Sequence, residues 1–119
     1  MAQKNPSHIF RLKNRADFLR VKNKGKSVAT KSVVIQYSKG AVGEEKIGIG
    51  FTATKKIGKA NVRNRAKRRL RAAISKKYLQ IKTGYDIVLI ARAGTPLRSW
   101  DKLLADLDEA LNLADLLKK

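Results

Sequence analysis

The chain has no cysteine, a single histidine, and only nine acidic residues against 28 lysines and arginines. Without cysteine there are no disulfides, no thiolate zinc sites and no cysteine nucleophiles, which fits a reducing compartment. The lone histidine, His8, has no neighbour at metal-ligand spacing and reads as an exposed residue of an N-terminal arm. Long hydrophobic runs are also missing. The longest, Ile87 to Ala91, is far too short to span a bilayer. The opening MAQKNPSHIF lacks the apolar stretch of a signal peptide. These absences lead us to expect a soluble cytoplasmic protein with no membrane partner. The few acidic residues are also unevenly spread. Five of the nine (Asp101, Asp106, Asp108, Glu109, Asp115) fall in the last 19 positions, so the C-terminal segment is not expected to touch a phosphate backbone.

What is present is positive charge on a chain able to fold. The 119 residues are 43% hydrophobic, enough for one domain with a real core, taken as residues 1–119. Net charge is +19, a self-repelling field that a polyanionic partner would relieve. The charge is concentrated. Eleven of the 23 residues from Lys55 to Lys77 are Lys or Arg, and none is acidic. Val62, Ala66, Leu70, Ala73 and Ile74 recur there at spacings of three and four, which predicts a helix with one buried stripe.

The remaining elements follow from local pattern. Residues 1–13 are polar and basic and are expected to form an arm with little regular structure. Asn14 is a plausible N-cap for a first helix from about Arg15 to Asn23, with Asp17 near its positive end and Gly25 as its stop. Val28, then Val33-Val34-Ile35 and Tyr37, favour strands. Gly40 and Gly43 place a hairpin loop over 39–46. Ile47 to Thr54 alternates Ile47, Ile49, Phe51 and Ala53 with Gly48, Gly50, Thr52 and Thr54, predicting a strand with one buried face and one small, open face. Gly58 breaks the junction before the basic helix, which is expected to reach about Lys77. Tyr85 to Ala91 reads as a central strand. Ser99 is a candidate N-cap for a last amphipathic helix through Trp100, Leu103, Leu104, Leu107, Leu111 and Ala114. The predicted fold is α+β: a single-domain α-β sandwich of order α-β-β-β-α-β-α.

On a wheel of about 100° per residue, Ala66, Leu70 and Ala73 lie with Val62 on the core side of the basic helix. Asn64, Lys67, Arg68, Arg71 and Ser75 lie opposite, Arg65, Arg69 and Lys76 along one flank, and Arg63 on the other shoulder. Forked guanidiniums around an Asn suit phosphate. An ordinary solvated face mixes signs, whereas Lys67–Arg71 and Lys55–Lys59 are uncompensated like-charge pairs. A membrane-surface helix needs large apolar residues opposite its charge, and here the stripe is mostly Ala and Val. DNA is a weaker match than RNA, since no helix-turn-helix or zinc spacing is visible.

The run Lys55-Lys56-Ile57-Gly58-Lys59-Ala60-Asn61-Val62-Arg63-Asn64-Arg65-Ala66-Lys67-Arg68-Arg69-Leu70-Arg71 resembles the signature of the bacterial ribonuclease P protein subunit. Arg11-Leu12-Lys13, Asp17-Phe18, Val21 and Gly25 resemble that family's N-terminal helix. Tyr85-Asp86-Ile87-Val88-Leu89-Ile90-Ala91-Arg92 resembles its last strand. Order and spacing agree over roughly residues 9–115.

The resemblance implies a protein cofactor of a catalytic RNA that removes the 5′ leader of precursor tRNA, using Mg2+ held mainly by RNA. It also implies a left-handed crossover around the basic helix. No catalytic residue is expected on the protein. Arg63, Asn64, Arg65, Lys67, Arg68 and Arg71 would face the catalytic RNA, with Lys55 and Lys56 at the edge. The leader would lie between the first helix and the sheet, against Phe18, Thr52 and Thr54, with Tyr37 as an aromatic wall. Many members carry a second aromatic about one turn after Phe18, where this chain has Lys22.

Other residues have plainer readings. Trp100 reads as a core anchor more than a base-stacking platform, and Asp17 as a capping residue. Asp106 and Glu109 are expected on the outer face of the last helix, with no nucleophile, base and metal cage assembled. A ribosome-type RNA-binding protein and a self-sufficient protein nuclease remain as competing classes.

Overall fold

The computed structural model describes residues 6–40 and 43–118. Its elements are β1 (Ile9–Arg11), α1 (Arg15–Lys24), β2 (Lys26–Ala29), β3 (Val33–Lys39), β4 (Ile47–Thr52), α2 (Ala60–Ser75), β5 (Tyr85–Ala91) and α3 (Trp100–Leu113), with single 3-10 turns at Lys55–Ile57 and Tyr78–Gln80. The α+β order is the predicted one with a strand added in front. Among the described residues no helix is long and apolar enough to cross a membrane.

The five strands form one mixed sheet in the order β1-β4-β5-β3-β2. β1 runs parallel to β4 and β4 parallel to β5, while β5–β3 and β3–β2 are antiparallel. β4, α2 and β5 therefore make a parallel crossover unit, and β5 is central as its continuous apolar run predicts.

Two expectations are corrected here. The segment 39–46 is not a hairpin loop, because β5 lies between β3 and β4 and takes the hydrogen bonds of both. A glycine-bearing loop between strands specifies a reversal, not a partner. Residues 1–13 are not an unstructured arm throughout. Ile9–Arg11 pairs with Ile47–Ile49, and the Leu12 amide donates to the Ile49 carbonyl at 2.8 Å. Ile9 and Leu12 are buried, and His8 is half-buried with its carbonyl accepting from the Ile47 amide. The first five residues of that predicted arm lie outside the described residues.

The main core lies between one face of the sheet and α2 plus α3. Ile9, Ile47, Ile49, Phe51, Val33, Ile35, Ile87 and Leu89 meet Ala66, Leu70, Ala73, Ile74, Leu103, Leu107 and Leu111. Small residues at 66 and 73 let α2 approach the strands closely. On the opposite face, α1 builds a smaller core of Leu12, Val21 and Val88, bordered by Phe10, Phe18 and Ile90.

A partly buried pair pins α1 there: Arg20 donates to Asp86, which is 1% exposed, and also reaches Asp17 at 3.4 Å. Thus Asp17 serves Arg20, not the helix cap. Asn14 and Ser99 both sit at N-cap positions without a side-chain cap bond.

Asp106 is a further correction. It is 8% exposed and faces inward, accepting from Ser32 and from Arg98. A wheel drawn on hydrophobicity alone places a carboxylate outside, because it cannot anticipate the guanidinium that makes burial tolerable.

Candidate nucleic-acid interface

α2 begins after Gly58, whose φ of 143° lies in the left-handed region that favours glycine. That sharp junction sets the axis of the basic helix across β4 and β5. Along its outer side, Asn61, Asn64, Lys67, Arg68 and Arg71 follow one another at helical spacing and, with Arg11 of β1, line an open groove of about 540 Å³. Arg65 and Arg68 are exposed, Arg63 and Lys67 half-buried. Lys55 and Lys56 lie exposed in the 3-10 turn that leads into the helix. Among the described residues, none of these cations forms an ion pair; the bridges present are Arg20–Asp17, Arg20–Asp86, Lys77–Asp108, Lys82–Asp115 and Arg98–Asp106.

Two arginines are held by their surroundings. Arg71 and Arg11 lie over the Phe51 ring, at 5.5 and 5.8 Å from its centroid. These two cation–π contacts hold both guanidiniums at the groove they line. Burial and the neighbouring Arg11 lower the Arg71 pKa, although a guanidinium stays cationic throughout the working range of a protein.

Arg69, by contrast, is turned away from the groove. It donates to the carbonyl of Thr95 at 2.6 Å and to that of Arg98, fastening α2 to the connector before α3. Burial, then the charge of Arg65, lowers its pKa.

Arg11 lines the groove beside α2, a placement that sequence reasoning missed. A three-residue strand carries too little alternation to declare which side its arginine takes. Pairing with β4 aims Ile9 and Arg11 to the α2 side, and Phe10 to the α1 side.

The α1 face of the sheet differs from the expected open strip. Gly48 and Gly50 are buried. A Cβ at Gly50 would meet the Phe18 ring at 2.8 Å, and one at Gly48 would collide with Asp86 and Leu12. The glycines are small because side chains from elsewhere fill their space. Beyond these glycines the face is partly accessible one row further on. Register places Thr52 beside Ile90, and Ile90 beside Val34, all half-buried. This row, with Phe18 over the neighbouring Gly50, forms a shallow floor across β4, β5 and β3. Thr54 is exposed beyond the end of β4, at the start of the 3-10 turn.

Tyr37 is not part of that floor. It pairs in register with Ile87, packs with the main core, and so lies on the opposite face from Phe18. It borders instead a groove of about 790 Å³ near Tyr85, Lys26 and Leu113. Gln36, opposite Val88, takes the α1 side. A shift of one residue along a strand exchanges its faces, and an aromatic wall chosen by residue type alone carries no protection against that slip.

A family model described as "Ribonuclease P" matches residues 7–115. The chain belongs to the ribonuclease P protein family. It is 43% identical over 105 residues to the ribonuclease P protein component of Gluconacetobacter diazotrophicus, covering 87% of this chain and 90% of that one. The component from Symbiobacterium thermophilum is 39% identical over 110 residues, covering 92% and 95%. Solved structures agree. The ribonuclease P protein of Staphylococcus aureus superposes with a TM-score of 0.79 at 29% identity, covering 91% of this chain and 97% of that one. That of Thermotoga maritima gives 0.72 at 30% identity, covering 87% and 94%. Membership in this ribonuclease P family supports a role in ribonuclease P and in tRNA processing, within a ribonucleoprotein.

Proposed function

We propose that the chain binds the catalytic RNA of ribonuclease P through α2 and Arg11, and the 5′ leader of precursor tRNA along the α1 side of the sheet. In this reading it assists the Mg2+-dependent endonucleolytic removal of the leader, with the RNA as catalyst. The observation that carries the reading is the groove lined by Arg11, Asn64, Lys67, Arg68 and Arg71, where among the described residues no cation is paired. Each of these cations that neutralises an RNA phosphate displaces a counterion condensed on the RNA, which drives association and makes affinity steeply salt-dependent. Arg63 and Arg65 extend the face, and Lys55 and Lys56 border it. On the other side of the sheet, Phe18 supplies one stacking surface, Thr52 a hydroxyl, and Ile90 and Val34 an apolar floor for a single strand.

Among the described residues, no three of the His, Asp and Glu side chains are grouped to hold a metal ion. Asp86 and Asp106 are each committed to a guanidinium. The reading assigns the metal to the RNA, and the protein to positioning.

The test is cleavage of precursor tRNA by ribonuclease P RNA with and without this protein. The expected result is cleavage at a lower Mg2+ concentration when the protein is present. An unchanged rate and unchanged Mg2+ requirement would contradict the proposal.

A further inference from the structure

Trp100 is the only tryptophan in the chain, and it opens α3 beside the connector that Arg69 fastens. One part of it packs on the main core, and the remainder lines a third groove, of about 370 Å³, with Arg65, Arg68, Arg69 and Ala72. Arg68 lines this groove and the one it shares with Arg11 and Arg71, so it forms the ridge between them.

Three features make this groove more than an edge of the core. Ala72 is exposed and too small to shield the indole. Among the described residues, the guanidiniums that cover an aromatic ring are Arg11 and Arg71, both at Phe51, and none covers Trp100. Arg69 is immobilised by two carbonyls, while among the described residues no ion pair holds Arg65 or Arg68 back from a phosphate.

We infer that Trp100 is a stacking platform for an unpaired nucleobase of the partner RNA, with Arg65 and Arg68 on the phosphates that flank it. A half-buried indole that lines an open groove next to forked donors matches the chemistry of single-stranded nucleotides, since every base offers a π-face. The inference rests on the proposal that α2 binds the catalytic RNA. It adds a contact from α3, outside the basic helix, and an unpaired nucleotide as its ligand.

Because Trp100 is alone, its emission reports on this groove only. The full chain is titrated with the ribonuclease P RNA of the same organism while tryptophan fluorescence and RNA affinity are followed together. Binding is expected to quench the emission and to reduce its accessibility to acrylamide. The Ala72→Leu variant, altered at an exposed helix position, fills the groove. It is expected to lose the quenching and to bind roughly 5- to 150-fold more weakly, the range for one lost stack. Trp100→Phe keeps an aromatic face and is expected to bind within a few-fold of the parent. Binding with unchanged emission, or quenching with no affinity loss in Ala72→Leu, overturns the inference and leaves the α2 proposal standing. No binding by the unaltered protein overturns both.

Discussion

The Asp106 carboxyl shows how a residue read as surface becomes part of the frame. Burial alone would raise its pKa. Hydrogen bonds from Ser32 and Arg98, with the charges of Arg98 and Lys31, outweigh burial and hold it below its ordinary value of 3.8. A carboxyl depressed in the folded state stabilises fully above its unfolded pKa and loses that contribution as pH falls through the folded value. Asp106→Asn is therefore expected to cost about 1–3 kcal/mol at neutral pH, by leaving Arg98 and Ser32 poorly satisfied. Urea unfolding of parent and variant should converge as pH falls below 3.8. A gap that stays constant with pH would contradict this role.

Gly50 makes a second point at the same scale. With the Phe18 ring 2.8 Å from where a Cβ would stand, Gly50→Ala must displace the ring. We expect a loss of about 1–3 kcal/mol, the usual range for overpacking, measured as a lower unfolding midpoint.

At the scale of elements, legibility followed pattern length. α2 spans Ala60–Ser75 and α3 Trp100–Leu113, each long enough for several turns of apolar recurrence, and both were readable within about two residues. β5 was readable as central because both its faces are covered. β1 was not readable, since Ile9–Arg11 is only three residues long and its partner lies far along the chain. The separation of β3 from β4 was equally hidden, because loop composition reports where a chain turns and is silent on which strand receives it. The candidate site divides the same way. Charge density announced the α2 face, whereas the face occupied by Tyr37, the burial of Gly48 and Gly50, and the arrival of Arg11 depend on register and long-range pairing.

The element-level consequence concerns Lys22, which is exposed on α1 one turn after Phe18 and offers no aromatic face. With Phe18 as the remaining aromatic of α1, Phe18→Ala is expected to remove about 1–3 kcal/mol of binding from precursor tRNA and little from mature tRNA, as measured by equilibrium binding to the holoenzyme.

For the whole molecule, the +19 charge is the governing quantity. It destabilises the compact state by self-repulsion and drives association with a polyanion. Two expectations follow. The melting temperature of the free protein should rise with added salt from very low ionic strength toward about 0.15 M, as screening shortens the reach of that repulsion. Bound RNA should raise it further through preferential binding to the folded state. A melting temperature that falls with salt over the same range would show that ion pairs such as Arg20–Asp86 and Arg98–Asp106 outweigh the net repulsion.

The central claim is that one sheet separates two RNA-binding surfaces, α2 with Arg11 on one face and Phe18 with Thr52 on the other. The most direct test measures two affinities for two variants: that of the protein for ribonuclease P RNA as a function of salt, and that of the holoenzyme for precursor against mature tRNA. Arg68→Ala is expected to weaken RNA binding and to lower the salt slope by about one unit or less, with the preference for precursor retained. Phe18→Ala is expected to leave RNA binding and its slope intact while reducing that preference. Equal effects of both changes on both measurements would contradict the two-surface account.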